Sequence, residues 1–184
     1  MENYSITIVS KRRKREQAKL INDGYLLIDV TSKSDDATFQ KFSPFYPHKD
    51  VPVVGLSITS ESVEGVWQGL KVFEKEGVDL SKFRIKNMKN IKRPVNEKRG
   101  RIVGHLLNGN TLDYKTARKK IYIPTYQWLL RNKLCKELQL LQDLVKEHGK
   151  IAFIDYDTNT DIENLKKPLS HASIIIQELN ILLK

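Results

Sequence analysis

Three short runs of apolar and β-branched residues limit the folds open to this chain. They lie at 4–10, 25–31 and 151–157, and each has the length and composition of a β-strand. A helical pattern over 11–23 separates the first two runs and ends at an Asp-Gly pair. Strands and helices therefore interleave, which predicts an α+β or mixed α/β fold in a single compact domain spanning 1–184.

The other helical patterns lie mostly in the second half of the chain. Apolar periodicity predicts helices over 112–121, 124–149 and 169–183. An earlier helix is expected to begin after Ser60 as its cap and to run to about Glu76. The resulting expectation is a small sheet accompanied by several helices.

The chain carries an excess of positive charge, with 32 Lys and Arg against 22 Asp and Glu and a net charge of +10. Five consecutive cations fill 11–15, and nine lie within 82–101 against the single acid Glu97. Such an excess attracts phosphate-bearing ligands or polyanions. A phosphate-bearing partner, either a small ligand or a polyanion such as nucleic acid, is therefore expected, with a merely solvated basic surface as the alternative. No recognition helix or zinc spacing indicates a sequence-specific nucleic-acid reader.

Neither membrane insertion nor secretion is expected. No run approaches the ~18 apolar residues that span a bilayer. The first 15 residues place their charges after a short apolar run, the reverse of a signal peptide. The one cysteine, Cys135, falls in an apolar helical pattern and is predicted to be a small core residue. These features predict a cytoplasmic protein and leave its oligomeric state open.

An aromatic loop, FSPFYPH at 42–48, lies within a long connection over 32–57. Long loops in compact domains are commonly functional. Phe42, Phe45 and Tyr46 are candidates to stack on a flat ring, as aromatic platforms do with bases. His48, in the same loop, is a candidate to bind a ribose or phosphate oxygen. The alternative is that the phenylalanines fill a gap in the core, and both interpretations can hold for different rings.

The pattern over 63–73 predicts a helix enclosed on two sides. Its apolar arc and its glycines face opposite directions, and its polar side chains lie between them. The apolar arc comprises Val63, Val66, Trp67, Leu70 and Phe73; the glycines are Gly65 and Gly69; the polar residues are Glu64, Gln68 and Lys71. Glycine inside a helix is unfavourable, so two of them indicate close approach of another backbone or of a ligand.

Glu64 would then be a carboxylate on a largely buried helix. A buried carboxylate is unfavourable unless it is paired or used in chemistry. The structural interpretation pairs Glu64 with Lys71 or with a cation from 82–101. The functional interpretation places it on the floor of a pocket lined by the aromatic loop, as a general base or as a stabiliser of a developing cation.

Asp155 and Asp157 follow directly from the strand at 151–157, in the sequence DYDTNTD. The carboxyl end of a strand is a usual place for site residues in α/β sheets. The spacing lacks the glycine and terminal glutamate of an EF-hand loop, so calcium binding is not expected. A helix-capping or turn role is the alternative for one of them.

Ser170 and His171 lie in the first turn predicted for the last helix. His171 is a candidate to share a cavity with His48 and His105, for acid–base chemistry or zinc. The chain has no H-E-x-x-H motif and no suitable cysteine ligands, so neither a metal nor another cofactor is expected. A capping or core role is the alternative for a histidine at a helix start.

The loop and the helix after it together resemble the NADAR superfamily. Members of that superfamily carry an F-S-N-F loop followed by a helix of the form S-x-E-x-x-x-Q-x-x-K. The matching residues here are Phe42, Ser43, Phe45, Ser62, Glu64, Gln68 and Lys71. The chain departs from the pattern at Pro44, which replaces Asn, and at 155–172, where the family's Trp-Gly-x-Gly segment is absent. It looks like a distinct, often phage-associated branch of uncharacterised proteins.

This resemblance implies an α+β fold and cleavage of N-glycosidic bonds at ribose. The family's substrates include riboflavin-pathway intermediates and ADP-ribosyl groups on guanine. We therefore expect an N-glycosidase-like hydrolase acting on a nucleotide or an ADP-ribose conjugate, with Glu64 as catalytic carboxylate and Asp155 or Asp157 as the second carboxylate. The remaining candidates are Trp67 with the loop aromatics for the leaving base, and Lys71, Lys89, Arg93 and Lys167 for phosphates. The alternative function is a non-catalytic nucleotide- or nucleic-acid-binding protein that uses the same pocket and a basic face.

Overall fold

The structure is a computed structural model and describes residues 4–184. It confirms the mixed α+β class, with several helices and three small sheets in the described part of the chain. The strands are β1 (Ser5–Ser10), β2 (Leu26–Asp29), β3 (Val51–Pro52), β4 (Thr59–Ser60), β5 (Lys71–Phe73), β6 (Ile102–Leu107), β7 (Asn110–Leu112) and β8 (Lys150–Asp155). The helices are α1 (Lys14–Asn22), α2 (Ala37–Gln40), α3 (Val63–Leu70), α4 (Tyr114–Ala117), α5 (Ile123–Asn132), α6 (Cys135–His148) and α7 (His171–Leu182).

The contacts divide the chain into two compact units. Unit 1 combines the residues up to Ser43 with Leu130–Lys184, and unit 2 is Pro44–Leu129. The expectation of a single domain over the whole chain stays a prediction. Within residues 4–184, no helix combines the length and the apolarity needed to cross a membrane.

Unit 1 is built on a parallel sheet in the order β1-β8-β2. The central strand β8 is buried along Ile151–Asp155, which explains why it reads as a continuous apolar run. The buried face of α6 includes Leu138, Leu141 and Val145, and α6 and α7 both contact β8. The core of this unit therefore forms around a strand from the end of the chain.

The helix predicted over 124–149 is two helices in the structure. α5 ends at Asn132, and α6 begins at Cys135 with Leu134 as its N-cap residue. The break turns Cys135 outward, so the prediction that it is a core residue is wrong: its side chain is exposed. Leu134 and Leu138 are buried instead, and Gly149, with φ 69°, ends the second helix as predicted.

Unit 2 holds α3 and the antiparallel sheet β5-β6-β7. Ser62 caps α3 in place of the predicted Ser60, and its Oγ accepts a hydrogen bond from the Gly65 amide at 3.0 Å. The predicted helix to Glu76 is too long, because the chain turns extended at Lys71 and pairs with β6.

Candidate functional site

Every residue of α3 is buried, as the two-sided pattern predicts. A Cβ on Gly69 would overlap the Phe83 ring, and one on Gly65 would lie 2.9 Å from the carbonyl oxygen of Lys82. The segment Leu80–Arg84 therefore fits against α3 only because these two positions lack side chains. The glycine side of α3 is occupied by protein.

The polar face of α3 forms a hydrogen-bonded chain, hereafter the Glu64 network. Gln68 Nε2 donates to Glu64 Oε1 at 2.8 Å, and Lys71 Nζ donates to Gln68 Oε1 at 2.9 Å. The Arg93 amide donates to the same Gln68 oxygen at 3.0 Å. Two donors on one oxygen fix the orientation of the Gln68 amide, so its nitrogen points at Glu64. The hydrogen bond from Gln68 thereby orients the carboxylate of Glu64, a residue that is only 6% exposed.

Lys71 lies in a partly buried and electrostatically unusual place. Burial lowers the pKa of its ammonium, and the nearby charges of Arg93 and Lys92 lower it further. The charge of Glu64 acts in the opposite direction and only partly offsets them. Glu64 and Lys71 thus attract each other through their charges, and Gln68 links them by a hydrogen bond to each side chain.

His105 lies opposite Lys71 in the β5–β6 register and is fully buried. Its ring stacks on Trp67 with 3.7 Å between ring centres. Burial, with a smaller contribution from the charge of Lys71, lowers the pKa of His105 to about 3, so the imidazole is neutral near pH 7. Among the described residues, neither ring nitrogen has a hydrogen-bond partner. A buried polar group in this condition usually has a water or ligand partner.

Two tyrosines complete an aromatic cluster made of Trp67, His105, Tyr114 and Tyr122. The ring centres of Tyr114 and Tyr122 lie 5.8 and 5.5 Å from that of Trp67. These distances are typical of favourable aromatic pairs. Neither tyrosine was predicted as a site residue, because their pattern in the sequence is only that of a helical stretch.

The part of the aromatic loop that belongs to unit 2 lies at the start of α3. The Glu64 amide donates to the Pro44 carbonyl at 2.8 Å. Phe45, Tyr46 and His48 are half-buried, and the rings of the last two lie 4.8 Å apart. Phe42, in unit 1, is fully buried. The loop thus supplies one core ring and three partly accessible ones.

The basic segment 82–101 differs from its prediction. Beyond Arg84 it is irregular, so Lys89 and Arg93 do not share a helical face. Arg93 is buried and bound inside the protein: its guanidinium pairs with Glu76 at 2.9 Å and donates to the carbonyls of Gln68, Lys71 and Gly77. Lys89 is exposed. The predicted joint action of Lys89 and Arg93 from one helical face is therefore wrong, since Arg93 ties the segment to α3. A phosphate role for Lys89 stays a prediction.

In unit 1, Asp155 and His171 form a buried pair at the carboxyl end of β8. His171 Nδ1 lies 3.0 Å from Asp155 Oδ2, and its Nε2 lies 2.9 Å from the Val30 carbonyl oxygen. Ser170 Oγ donates to the same Asp155 oxygen at 2.6 Å, and the Ala172 amide lies at 3.4 Å from it. Asp155 thus anchors the start of α7, which agrees with the capping interpretation.

Asp155 and His171 each stabilise the charged form of the other. Burial disfavours both charges, but their mutual attraction and hydrogen bonds lower the pKa of Asp155 and raise the pKa of His171. Asp157, half-buried nearby in the chain, adds to the rise for His171. The remaining cation predicted for phosphates, Lys167, is exposed, and its carbonyl accepts a hydrogen bond from Asn159. Convergence of these residues with Glu64 stays a prediction.

A surface cavity of about 400 Å³ lies elsewhere in unit 2 and contains none of the predicted site residues; it is lined by Ile58, Thr59, Leu80, Phe83 and Arg84. No group of three or more His, Cys, Asp or Glu within residues 4–184 has the arrangement of a metal site. The structure therefore gathers Glu64, Trp67, Gln68, Lys71 and His105 around α3 and β6, while Arg93 serves the same network structurally.

Comparison with protein families identifies the family of this chain. No curated protein is a significant match to the sequence. A family model described as a family of unknown function, DUF6939, matches residues 10–175, which is most of the chain. This protein therefore belongs to the DUF6939 family.

Proposed function

We propose that this protein is a cytoplasmic N-glycosidase-like hydrolase that cleaves a ribosyl N-glycosidic bond in a nucleotide or an ADP-ribose conjugate. The observation that carries the proposal is Glu64: a carboxylate on a fully buried helix, oriented by Gln68. The aromatic cluster at the same helix contains a neutral histidine whose ring nitrogens have no hydrogen-bond partner among the described residues. The resemblance of this helix and of the preceding loop to the NADAR superfamily supports the same chemistry.

The chemistry assigned to Glu64 follows from its setting. Cleavage at a ribosyl anomeric carbon passes through an oxocarbenium-like state, which a nearby carboxylate stabilises. The water oxygen bonds to C1′, the C1′–N bond breaks with its electron pair going to the base nitrogen, and the water proton passes through Glu64 to the departing base. Burial strengthens the interaction of Glu64 with the developing positive charge.

The surrounding residues have supporting roles. Gln68 holds the carboxylate in one orientation, and Lys71 holds Gln68. Trp67 and the half-buried ring of Tyr46 provide faces for a flat leaving base. Because His105 is neutral near pH 7, it offers one donor and one acceptor without adding charge beside the oxocarbenium.

The proposal does not use Asp155 as the second carboxylate. Its side chain already accepts hydrogen bonds from the Tyr156 amide, Ser170 and His171. A carboxylate engaged in this way is well suited to hold a helix start and poorly suited to transfer protons. Asp157 remains a candidate for a supporting role.

The test compares the parent protein with Glu64→Gln, a nearly isosteric change that removes the charge. The substrates are NAD⁺, an oligonucleotide carrying ADP-ribosylated guanine, and a ribosylated pyrimidine, and chromatography detects the released base. We expect a loss of roughly 100-fold or more for whichever substrate is cleaved, with unchanged thermal unfolding. Glu74→Gln is the matched control, because Glu74 lies outside the Glu64 network and pairs with Arg101 at 3.4 Å. Equal turnover by parent and Glu64→Gln would remove Glu64 from the mechanism.

The second candidate function is a non-catalytic binding protein. The net charge of +10 and the exposed cations of 11–15 and 82–101 favour it. Binding to an oligonucleotide would then weaken steeply as salt rises. A parent protein that binds nucleotides or oligonucleotides but releases no base from the panel would support this function over hydrolysis.

A further inference from the structure

Lys92 lies where the aromatic loop meets the Glu64 network. Its ammonium is 5.4 Å from the centre of the Phe45 ring. It is also close enough to Lys71 for its charge to affect that residue. The Lys92 side chain is exposed, and within residues 4–184 it forms no ion pair with a carboxylate. Lys92 was not among the cations predicted to bind phosphate.

The neighbouring cations are used differently. Arg93 binds Glu76 and backbone carbonyls through its two terminal guanidinium nitrogens, and Arg99 pairs with the same glutamate at 2.9 Å. Lys82 lies 3.8 Å from Asp79. The positive charge of Lys92 acts unfavourably on that of Lys71, and Lys92 forms no ion pair with a carboxylate within residues 4–184. A bound anion would offset this repulsion.

We propose that Phe45 and Lys92 form the nucleotide-recognition subsite of this protein, with Phe45 stacking on the base of a nucleoside diphosphate and Lys92 pairing with its phosphates. The inference rests on the proposed function and names which residues of the site recognise the nucleotide part of the substrate. In the ligand-free state the Lys92 ammonium lies near the Phe45 ring. An arriving base competes for that ring face, and the displaced ammonium then finds a stronger partner in the phosphate.

The surroundings of Phe45 agree with a role in base stacking. Phe45 is half-buried, so part of the residue remains accessible. Tyr46 and His48 pack against each other in the same loop. Because the Pro44 carbonyl binds the Glu64 amide, the loop is tied to the start of α3 and a nucleotide on Phe45 would lie beside the helix that carries Glu64.

The experiment measures binding, by calorimetry at low salt, of three probes: ADP-ribose, adenosine and ribose 5-phosphate. Lys92→Met removes the charge and keeps the aliphatic chain. We expect it to weaken ADP-ribose and ribose 5-phosphate by about five- to tenfold and to leave adenosine unchanged. Phe45→Leu should give the crossed pattern, weakening ADP-ribose and adenosine but not ribose 5-phosphate. Lys86→Met, at an exposed cation of the same segment, is the matched control and should change none of the three.

Several outcomes would overturn the inference. Equal losses in Lys92→Met and Lys86→Met would show a general effect of net charge. Loss of adenosine binding in Lys92→Met would show that the side chain only supports the ring. Absence of ADP-ribose binding to the parent protein would also reject the subsite. The outcome for hydrolysis is separate: a parent that binds ADP-ribose with the crossed pattern, but cleaves no conjugate, would reject the proposed reaction and keep the subsite.

Discussion

His105 is buried, has a lowered pKa, and has two ring nitrogens with no hydrogen-bond partner among the described residues. Its pKa of about 3 in the folded protein lies below the ordinary histidine value of 6.5. Between these two pH values the unfolded chain binds a proton that the folded protein does not bind. The contribution of His105 to stability is therefore complete above about pH 6.5 and falls by about 1.4 kcal/mol for each pH unit below it.

We predict that His105→Phe stabilises the protein, and more so in acid. The change keeps a ring against Trp67 and removes two buried nitrogens without partners, which should add about 1 kcal/mol to the free energy of unfolding at pH 7. The gain should be about 2 kcal/mol larger at pH 5, because the proton-linked loss disappears. Urea unfolding at both pH values measures it, with the exposed His148→Phe as control. The same gain at both pH values would contradict the assigned shift.

His171 has the opposite dependence. Its pKa is raised in the folded protein, because Asp155 and the Val30 carbonyl outweigh the effect of burial. Its stabilising contribution is therefore complete below the unfolded value of about 6.5 and is lost as pH rises through the folded value. The two buried histidines thus limit stability from opposite sides of the pH range, for reasons that lie in their neighbours.

At the scale of elements, the position of α3 depends on two glycines, because their missing side chains let neighbouring residues pack closely against the helix. Gly69 faces the Phe83 side chain, whereas Gly65 faces the Ser60 hydroxyl and the backbone carbonyl of Lys82. An aromatic side chain can be shortened by mutation, and a backbone carbonyl cannot. The two glycines should therefore respond differently to the same second mutation.

We predict that Gly69→Ala lowers the free energy of unfolding by about 2 kcal/mol, because overpacking exceeds the gain in helix propensity. The cost should shrink in a Phe83→Leu background, which removes the ring that the new methyl group overlaps. Gly65→Ala is the matched control, and its cost should be the same with Phe or Leu at position 83. A double-mutant cycle in urea measures both couplings, and strict additivity for Gly69 would contradict the packing described here.

The burial of α3 on two sides was predictable from the sequence, whereas the residue at which the helix ends was not. The alternation of glycine and apolar positions over 63–70 is visible in the sequence, so burial on two sides could be inferred. The strand β5 depends on pairing with His105 and Gly104, more than thirty positions further along the chain. Three residues are too few to carry a period of their own, and the apolar pattern of the helix continued through them.

The roles of the cations in the basic segment were likewise not predictable from the sequence alone. Within 82–101 the only acid is Glu97, which suggested that the cations needed an external anion. Folding supplies acids from the preceding stretch instead, with Glu76 taking both Arg93 and Arg99 and Glu74 taking Arg101. Local charge counts could identify the segment as important, but only the fold distinguishes Arg93 as structural and Lys92 as available.

At the scale of the whole molecule, the central strand of unit 1 comes from the far end of the chain. β8 lies between β1 and β2 and pairs with both, from Ser5 opposite Lys150 to Asp29 opposite Ile154. The two N-terminal strands make no direct pairing with each other in this sheet order. Both strand pairings of this sheet therefore depend on one late segment, a topology that slows folding.

That position of β8 has a consequence for biosynthesis. About 120 residues separate the end of β2 from the start of β8, an interval of ~6–24 s at typical rates of translation. During this time β1 and β2 have no sheet partner, and their backbone groups are open to proteases and chaperones. We predict that ribosome-arrested chains ending before β8 are cut by chymotrypsin in the stretch from Tyr25 to Leu27, and that chains in which β8 has emerged are protected there. Protection of this stretch before β8 is made would mean that the N-terminal strands find another partner while they wait.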